Sequence, residues 1–189
     1  MIRLAIFASG SGSNAENIVN YFSSNPDVEI SLLISNNPAA GVHKRMNKRG
    51  IPSFSYSKND FDRADPVLEK LAAFHVDWII LAGFLKKIPG KMLQKYPNRI
   101  INIHPALLPK YGGKGMYGMH VHEAVVAAKE KETGITVHFI NENYDEGPAI
   151  FQQSCAVLPA DTPDDVAGKI HALEYAYFPK VIEQLILKK

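Results

Sequence analysis

The octapeptide Asn102-Ile103-His104-Pro105-Ala106-Leu107-Leu108-Pro109 puts an amide and an imidazole two residues apart, where an apolar run breaks into a proline-rich loop. Strand side chains alternate faces, so Asn102 and His104 point one way while Ile101 and Ile103 point the other. These residue types suit proton chemistry, because an imidazole titrates near neutral pH. The position suits it too, since open α/β sheets bind ligands beyond the carboxyl ends of their strands. The same pair also fits a buried turn that needs its polar groups satisfied.

A second polar cluster, Asn141-Glu142-Asn143-Tyr144-Asp145-Glu146-Gly147-Pro148, follows the next apolar run. If the two strands are neighbours, Asp145 returns beside His104. A carboxylate there raises the imidazole pKa and holds its tautomer. The plainer reading of Asp145-Glu146-Gly147 is a solvated turn. His120 and His122 stand two apart, the wrong spacing for one helix face. His75 and His171 read as structural histidines. With Cys155 as the only cysteine and no His-Glu-x-x-His, no metal site is expected.

At the amino terminus an apolar run enters Ser9-Gly10-Ser11-Gly12-Ser13-Asn14-Ala15 and then a helical pattern. Glycines permit close backbone approach, and a helix start offers N–H groups and a positive dipole end, which together favour an anion. A competing reading makes Ser13 an N-cap paired with Glu16 in a Ser-x-x-Glu capping box. The stretch also fits Gly-x-Gly-x-x-Ala, a dinucleotide fingerprint. That fingerprint needs an acidic residue about 20 positions on, at the end of the second strand. Ser35-Asn36-Asn37-Pro38 stands there instead, which favours a monophosphate over NAD.

The elements that must position these groups alternate between β-rich runs and helical stretches. Strands are expected over Leu4–Ala8, Ile30–Ile34, Trp78–Ala82, Ile100–Ile103, Ile135–Ile140 and Ala149–Val157. Between them Ala15, Ile18, Val19 and Phe22 share one helical face. Val42 and Met46 mark a short helix, and Leu68, Leu71 and Phe74 a buried stripe begun by Asp65-Pro66. Lys91–Tyr96 follows, then the stripe Val121, Ala124, Val125, Ala128. A last helix starts near Thr162, and Pro179 is expected to kink or split it. The expected fold is α/β, a Rossmann-like, mostly parallel central sheet flanked by helices on both faces. One domain is expected over 1–189, with the anion-binding glycine loop in the half at 1–100 and both polar clusters in the half at 101–189.

Composition narrows the function. The chain has 189 residues, 46% hydrophobic and 21% charged, with formal charge +2. That balance gives no nucleic-acid or membrane footprint but leaves room for a local anion site. No apolar run is long enough to span a bilayer, and the first residues do not read as a signal peptide. A cytoplasmic protein is expected.

Three motifs carry a resemblance from Arg3 through the final helix: Gly10-Ser11-Gly12-Ser13-Asn14, Asn102-Ile103-His104-Pro105-x-Leu107-Leu108-Pro109, and Asp145-x-Gly147-Pro148. In that order they resemble the glycinamide ribonucleotide formyltransferases, folate-dependent enzymes of purine synthesis. The last two are shared across the wider formyltransferase superfamily, and the first marks the branch that binds a ribose phosphate.

The resemblance implies transfer of a formyl group from 10-formyltetrahydrofolate, as co-substrate, to the amine of phosphoribosylglycinamide, without a metal. It assigns Asn102, His104 and Asp145 to catalysis. Asn102 and a protonated His104 would stabilise the oxyanion, with Asp145 keeping the imidazole cationic or correctly oriented. It assigns Gly12, Ser13 and Asn14 to the acceptor's 5′-phosphate and Glu174 to its ribose. Folate contacts fall on Lys58, on Leu85, Lys86, Lys87 and Ile88, and on Asn102, Asn141, Glu142, Asn143, Tyr144 and Asp145.

Small-molecule substrates and a monomer or weak homodimer are expected, with no nucleic-acid or membrane partner. Ala106 departs from the serine many relatives carry, and the Gly112–Tyr117 loop is longer than in some and is a candidate lid. Three rivals remain. A formyl-folate hydrolase resembles relatives with an additional amino-terminal domain. A methionyl-tRNA formyltransferase would carry a carboxyl-terminal RNA-binding domain. A non-catalytic nucleotide-binding module would keep the glycine loop without needing Asn102, His104 and Asp145.

Overall fold

The apolar run Leu4–Phe7 is wholly buried and forms the middle of β1 (Ile2–Phe7), from which the rest of the sheet builds outward in a computed structural model describing residues 1–188. Chain order continues α1 (Ser13–Phe22), β2 (Val28–Ser35), α2 (Gly41–Asn47), β3 (Ser53–Ser55), α3 (Lys58–Arg63), α4 (Asp65–Ala73), β4 (Trp78–Leu81) and α5 (Gly90–Lys95). Then come β5 (Ile100–His104), α6 (Met119–Ala127), β6 (Glu132–Phe139), β7 (Ala149–Ala156) and α7 (Pro163–Ile186). The seven strands run in the order β3-β2-β1-β4-β5-β6-β7. β1 pairs in parallel with β2 and β4, and β2 with β3, whereas β6 and β7 are antiparallel. The chain divides into two compact units, Met1–Ile101 and the part from Asn102 onward, so the boundary falls inside β5.

In the first unit the centre of the sheet is apolar and buried, Leu4–Phe7, Leu32–Ile34 and Ile79–Leu81, because parallel strands are covered on both sides. Phe7 meets Phe61 and Phe84 edge-on, with ring centroids 6.3 and 5.3 Å apart. Phe61 comes from α3, which has no expectation in the sequence, as has β3. A three-residue Ser-Phe-Ser strand is too short to show alternation, and α3 is set by the Ser57 cap, whose side chain accepts from the Asp60 N–H. In α4 the fully buried positions are Val67 and Leu71, with Leu68 and Phe74 only half-buried. Ala64, rather than Asp65, precedes the helix as its cap, and no side chain bonds there.

In the second unit α7 packs on α6, β6 and β7. Its start is a capping box, with the Thr162 hydroxyl accepting from the Asp165 N–H and the Asp165 carboxylate accepting from the Thr162 N–H. The helix continues through Pro179, which is buried between Phe178 and Val181, so the expected split does not occur. Val166, Ile170, Phe178 and Ile182 are fully buried along it, and that packing outweighs the hydrogen bond a proline removes. Among the described residues no helix is long and apolar enough to cross a membrane.

Candidate active site

β5 ends at His104, which is 3% exposed, and the chain then turns through Pro105–Pro109. Thr136 on β6 holds that turn. Its hydroxyl donates to the Ala106 carbonyl at 2.7 Å and accepts from the Leu108 N–H at 3.0 Å. Gln152 on β7 adds bonds to the Leu108 carbonyl and to the Thr136 hydroxyl. Ala106 is fully buried, and Thr136 supplies the polar contact at this turn.

His104 Nε2 lies 2.8 Å from the Tyr111 carbonyl. A carbonyl only accepts, so the ring proton sits on Nε2 in the neutral form. Nδ1 then faces Asp145 Oδ2 at 3.5 Å. Burial lowers the His104 pKa more strongly than the Asp145 charge and the Tyr111 carbonyl raise it. Of the two roles expected of Asp145, keeping the ring cationic or correctly oriented, the lowered pKa speaks against the first: at rest the ring is neutral. Two lone-pair-bearing atoms face one another, and a proton arriving on Nδ1 turns that approach into a charge-assisted bond.

Asp145 reaches His104 because of the turn that carries it. Phe139 N–H donates to the Pro148 carbonyl at 3.0 Å, folding the chain back at the end of β6. A Cβ on Gly147 would lie 1.8 Å from the Phe139 carbonyl oxygen, so only glycine fits that crossing. Within the turn the Asn143 N–H donates to Asn141 Oδ1, and the Asn143 amide donates to Glu146. Asn141 and Asn143 therefore shape the loop, while Glu142 and Tyr144 are exposed. Asp145 Oδ2 also accepts from the Gly113 N–H at 2.9 Å, which ties the start of the glycine-rich 112–118 segment to the same carboxylate.

A fourth residue, His138, completes the group and was missed in the sequence. It is fully buried in β6, and its Nε2 is 3.2 Å from Asn102 Nδ2 and 3.7 Å from Asp145 Oδ1. His138 Nδ1 donates to the Phe139 carbonyl at 2.9 Å, so Nε2 is the lone-pair nitrogen and accepts from the Asn102 amide. Burial lowers its pKa, which keeps it neutral and able to accept. Asn102 is thereby oriented, with its second Nδ2 hydrogen and its Oδ1 left to face a ligand. The signal available was a histidine interrupting the apolar run Ile135–Ile140, on the strand expected to carry Asp145.

The first unit holds the glycine loop. Gly12 is the residue before α1, in the left-handed region at φ 76°, and no side chain caps the helix. The expected Ser13–Glu16 capping box is therefore not formed. Ser13 is already helical, and Glu16 instead pairs with Arg45 and Arg49. The residue before the helix is a glycine with no side chain to cap it, and Asn14 is buried in the first turn. Ser9 links this loop to the next strand end: its hydroxyl donates to Asn36 at 2.5 Å and accepts from the Leu85 N–H at 2.9 Å. Leu85, Lys86 and Lys87 are exposed, whereas the Ile88 side chain is buried and offers only backbone to a ligand. Lys58 is exposed at the first position of α3.

Glu174 lies on α7, half-buried, and desolvation pushes its carboxyl up to about 7. The folded protein holds this proton between 4.5 and about 7, where an unfolded glutamate has lost it, so stability falls as pH rises through that window. Glu174→Gln removes the loss. Its melting temperature should exceed the parent's at pH 8, by an amount equivalent to at most about 3 kcal/mol, and match it near pH 4.5. A difference independent of pH in a melting series would refute the shift.

Comparisons with known proteins converge on one family. The sequence profile described as "Formyl transferase" matches residues 2–182. The chloroplastic phosphoribosylglycinamide formyltransferase of Arabidopsis thaliana is 37% identical over 186 residues, covering 95% of this chain and 64% of the relative. The chain thus spans just under two thirds of that plant protein. The Bacillus subtilis phosphoribosylglycinamide formyltransferase is 37% identical over 191 residues, covering 98% of this chain and 95% of the relative. The crystal structure of the enzyme so named from Bacillus halodurans superposes with a TM-score of 0.90 at 34% identity, covering 98% and 96% of the two chains. With a matching profile over almost its whole length and the same seven-stranded sheet, the chain belongs to the formyl transferase family.

Proposed function

We propose that this protein transfers the formyl group of 10-formyltetrahydrofolate to the glycinamide amine of phosphoribosylglycinamide, a step of purine synthesis. The observation that carries the proposal is the four-residue network Asn102–His138–Asp145–His104, built from the ends of β5 and β6 and the turn closed by Gly147. A binding module has no use for a buried imidazole set between a carbonyl and a carboxylate.

The amine attacks the formyl carbon, and the carbonyl electron pair moves onto oxygen. The Asn102 amide, pre-aimed by His138, donates to that oxyanion. Negative charge beside His104 raises its proton affinity, so the resting neutral ring takes up the proton the attacking amine gives up as the intermediate forms, with Asp145 accepting from Nδ1, and holds it for the folate nitrogen. Collapse restores the carbonyl, breaks the bond from formyl carbon to folate N10, and delivers to N10 the proton that the amine lost.

The loop Gly12-Ser13-Asn14 binds the acceptor's 5′-phosphate through the start of α1, and Glu174 accepts from ribose hydroxyls. Lys58, Leu85–Ile88 and Asn141–Tyr144 contact the folate. These small charged substrates suit a cytoplasmic monomer or weak homodimer with no nucleic-acid or membrane partner.

One assay tests the reading. The protein is mixed with 10-formyltetrahydrofolate, with and without phosphoribosylglycinamide. Loss of the formyl group only when acceptor is present is the expected result. Acceptor-independent loss would mean a hydrolase, and no loss in either case a binding module.

A further inference from the structure

The glycine loop has no side-chain cap and no rigid strand pairing of its own, yet an anion cradle works only if its N–H groups converge. Helix α2 is packed against it. A Cβ on Gly12 would lie 2.3 Å from Val42 Cγ2 and 2.8 Å from Val42 Cα, so the two backbones nearly touch. Two bonds cross that contact. The Val42 N–H donates to the Gly10 carbonyl at 3.1 Å, and Arg45 Nε donates to the Ser11 carbonyl at 2.9 Å.

In a trans peptide the carbonyl and the following N–H point in opposite directions, and the peptide bonds of this loop are trans. A Gly10 carbonyl held by α2 turns the Ser11 N–H away from α2. A Ser11 carbonyl held by Arg45 does the same for the Gly12 N–H. Two consecutive peptide planes are thus set from behind. The guanidinium has a second task, because Arg45 Nη1 also pairs with Glu16 Oε2, and Arg49 pairs with Glu16 Oε1 at 3.1 Å. Glu16 sits in the first turn of α1, where an ionised carboxylate would repel an arriving phosphate. Two guanidiniums against one carboxylate leave the trio with one net positive charge.

From this geometry we infer that Arg45 is a positioning residue for acceptor binding: it aims the Ser11–Gly12 peptide at the phosphate and neutralises Glu16 behind it. The inference rests on the assignment of the glycine loop to the acceptor phosphate, made above. Lysine cannot replace it, since a single ammonium lacks the planar fork that serves a carbonyl and a carboxylate together.

The test uses the full chain, with ribose 5-phosphate binding by calorimetry and steady-state kinetics read side by side. Arg45→Met and Arg45→Lys should each weaken ribose 5-phosphate binding and raise the acceptor KM by about tenfold, the scale of a charged hydrogen bond lost. They should leave kcat and the formyl-donor KM within about twofold of the parent, the scale of a residue acting only on ground-state binding of one substrate. Unchanged binding in both variants would overturn the inference, and so would kcat and both KM values falling away together, which marks a general structural role. Ser13→Asp separates the underlying assignment from the inference. It puts a carboxylate in the first turn, which the helix tolerates but an anion does not. If Ser13→Asp binds ribose 5-phosphate as the parent does, the loop is not the phosphate site and both ideas fail. If it abolishes binding while Arg45 variants bind normally, only the positioning role fails.

Discussion

Asp145→Ala is expected to lower kcat by at least about 10²–10³, the range typical of losing a preorganised group at a developing oxyanion, while the acceptor KM changes little. The carboxylate is the strongest influence raising the His104 pKa against the burial that lowers it. Without it the ring is harder to protonate at any pH, and the proton needed as the intermediate forms arrives at greater cost. The resting ring must be neutral to take up that proton, so activity appears as pH rises through the ring's pKa. Lowering that pKa therefore moves the rising limb of the kcat–pH profile toward acid.

Asp145→Asn separates charge from shape. It keeps an oxygen to accept from the Gly113 N–H and fits the same turn, so its melting temperature should stay near the parent's. Its turnover should still fall by a comparable factor. Near-parental turnover in Asp145→Asn would sink the assignment, because the remaining contacts of the side chain are preserved.

The parts of this site legible in the sequence were those set by local rules. Strand alternation put Asn102 and His104 on one face, and the strand-to-turn pattern brought Asp145 beside His104 on the condition that the two strands are neighbours. His138 was not legible, because a histidine inside an apolar strand looks like a satisfied core residue until its neighbour is known to be Asn102. The sequence left the charge of His104 open between cationic and merely oriented for a related reason. A carboxylate partner can be inferred from spacing, whereas the depth of burial that opposes it cannot.

The glycine loop shows the same limit. Ser-x-x-Glu is a sound local signature, but Glu16 is taken by Arg45 and Arg49 from another helix, and the approach of Val42 fixes Gly12 as the residue before α1. In α7 the helix runs on through Pro179 against α6, β6 and β7, so of the expected kink or split the split does not occur.

Asn102→Ala should reduce kcat by about 10²–10³ with both KM values within a few-fold, since the amide is called on mainly when negative charge develops on the formyl oxygen. The partner substitution gives the sharper result. His138 touches no reacting atom in the proposed mechanism. It accepts from Asn102 Nδ2 at 3.2 Å because its own Nδ1 proton is committed to the Phe139 carbonyl. His138→Leu keeps the buried site apolar and filled but removes the acceptor, freeing the amide to rotate. A loss of about 10-fold or more in kcat is expected, smaller than that of Asn102→Ala because a misoriented donor is still sometimes productive.

A residue that acts only through Asn102 can do no further harm once Asn102 is gone. The double variant Asn102→Ala/His138→Leu should therefore turn over at the rate of Asn102→Ala alone, a strongly non-additive cycle. Full multiplication of the two losses would instead give His138 an independent role. Its 3.7 Å approach to Asp145 would then be the contact that matters, with His138 steering the carboxylate toward His104 rather than the amide toward the oxyanion.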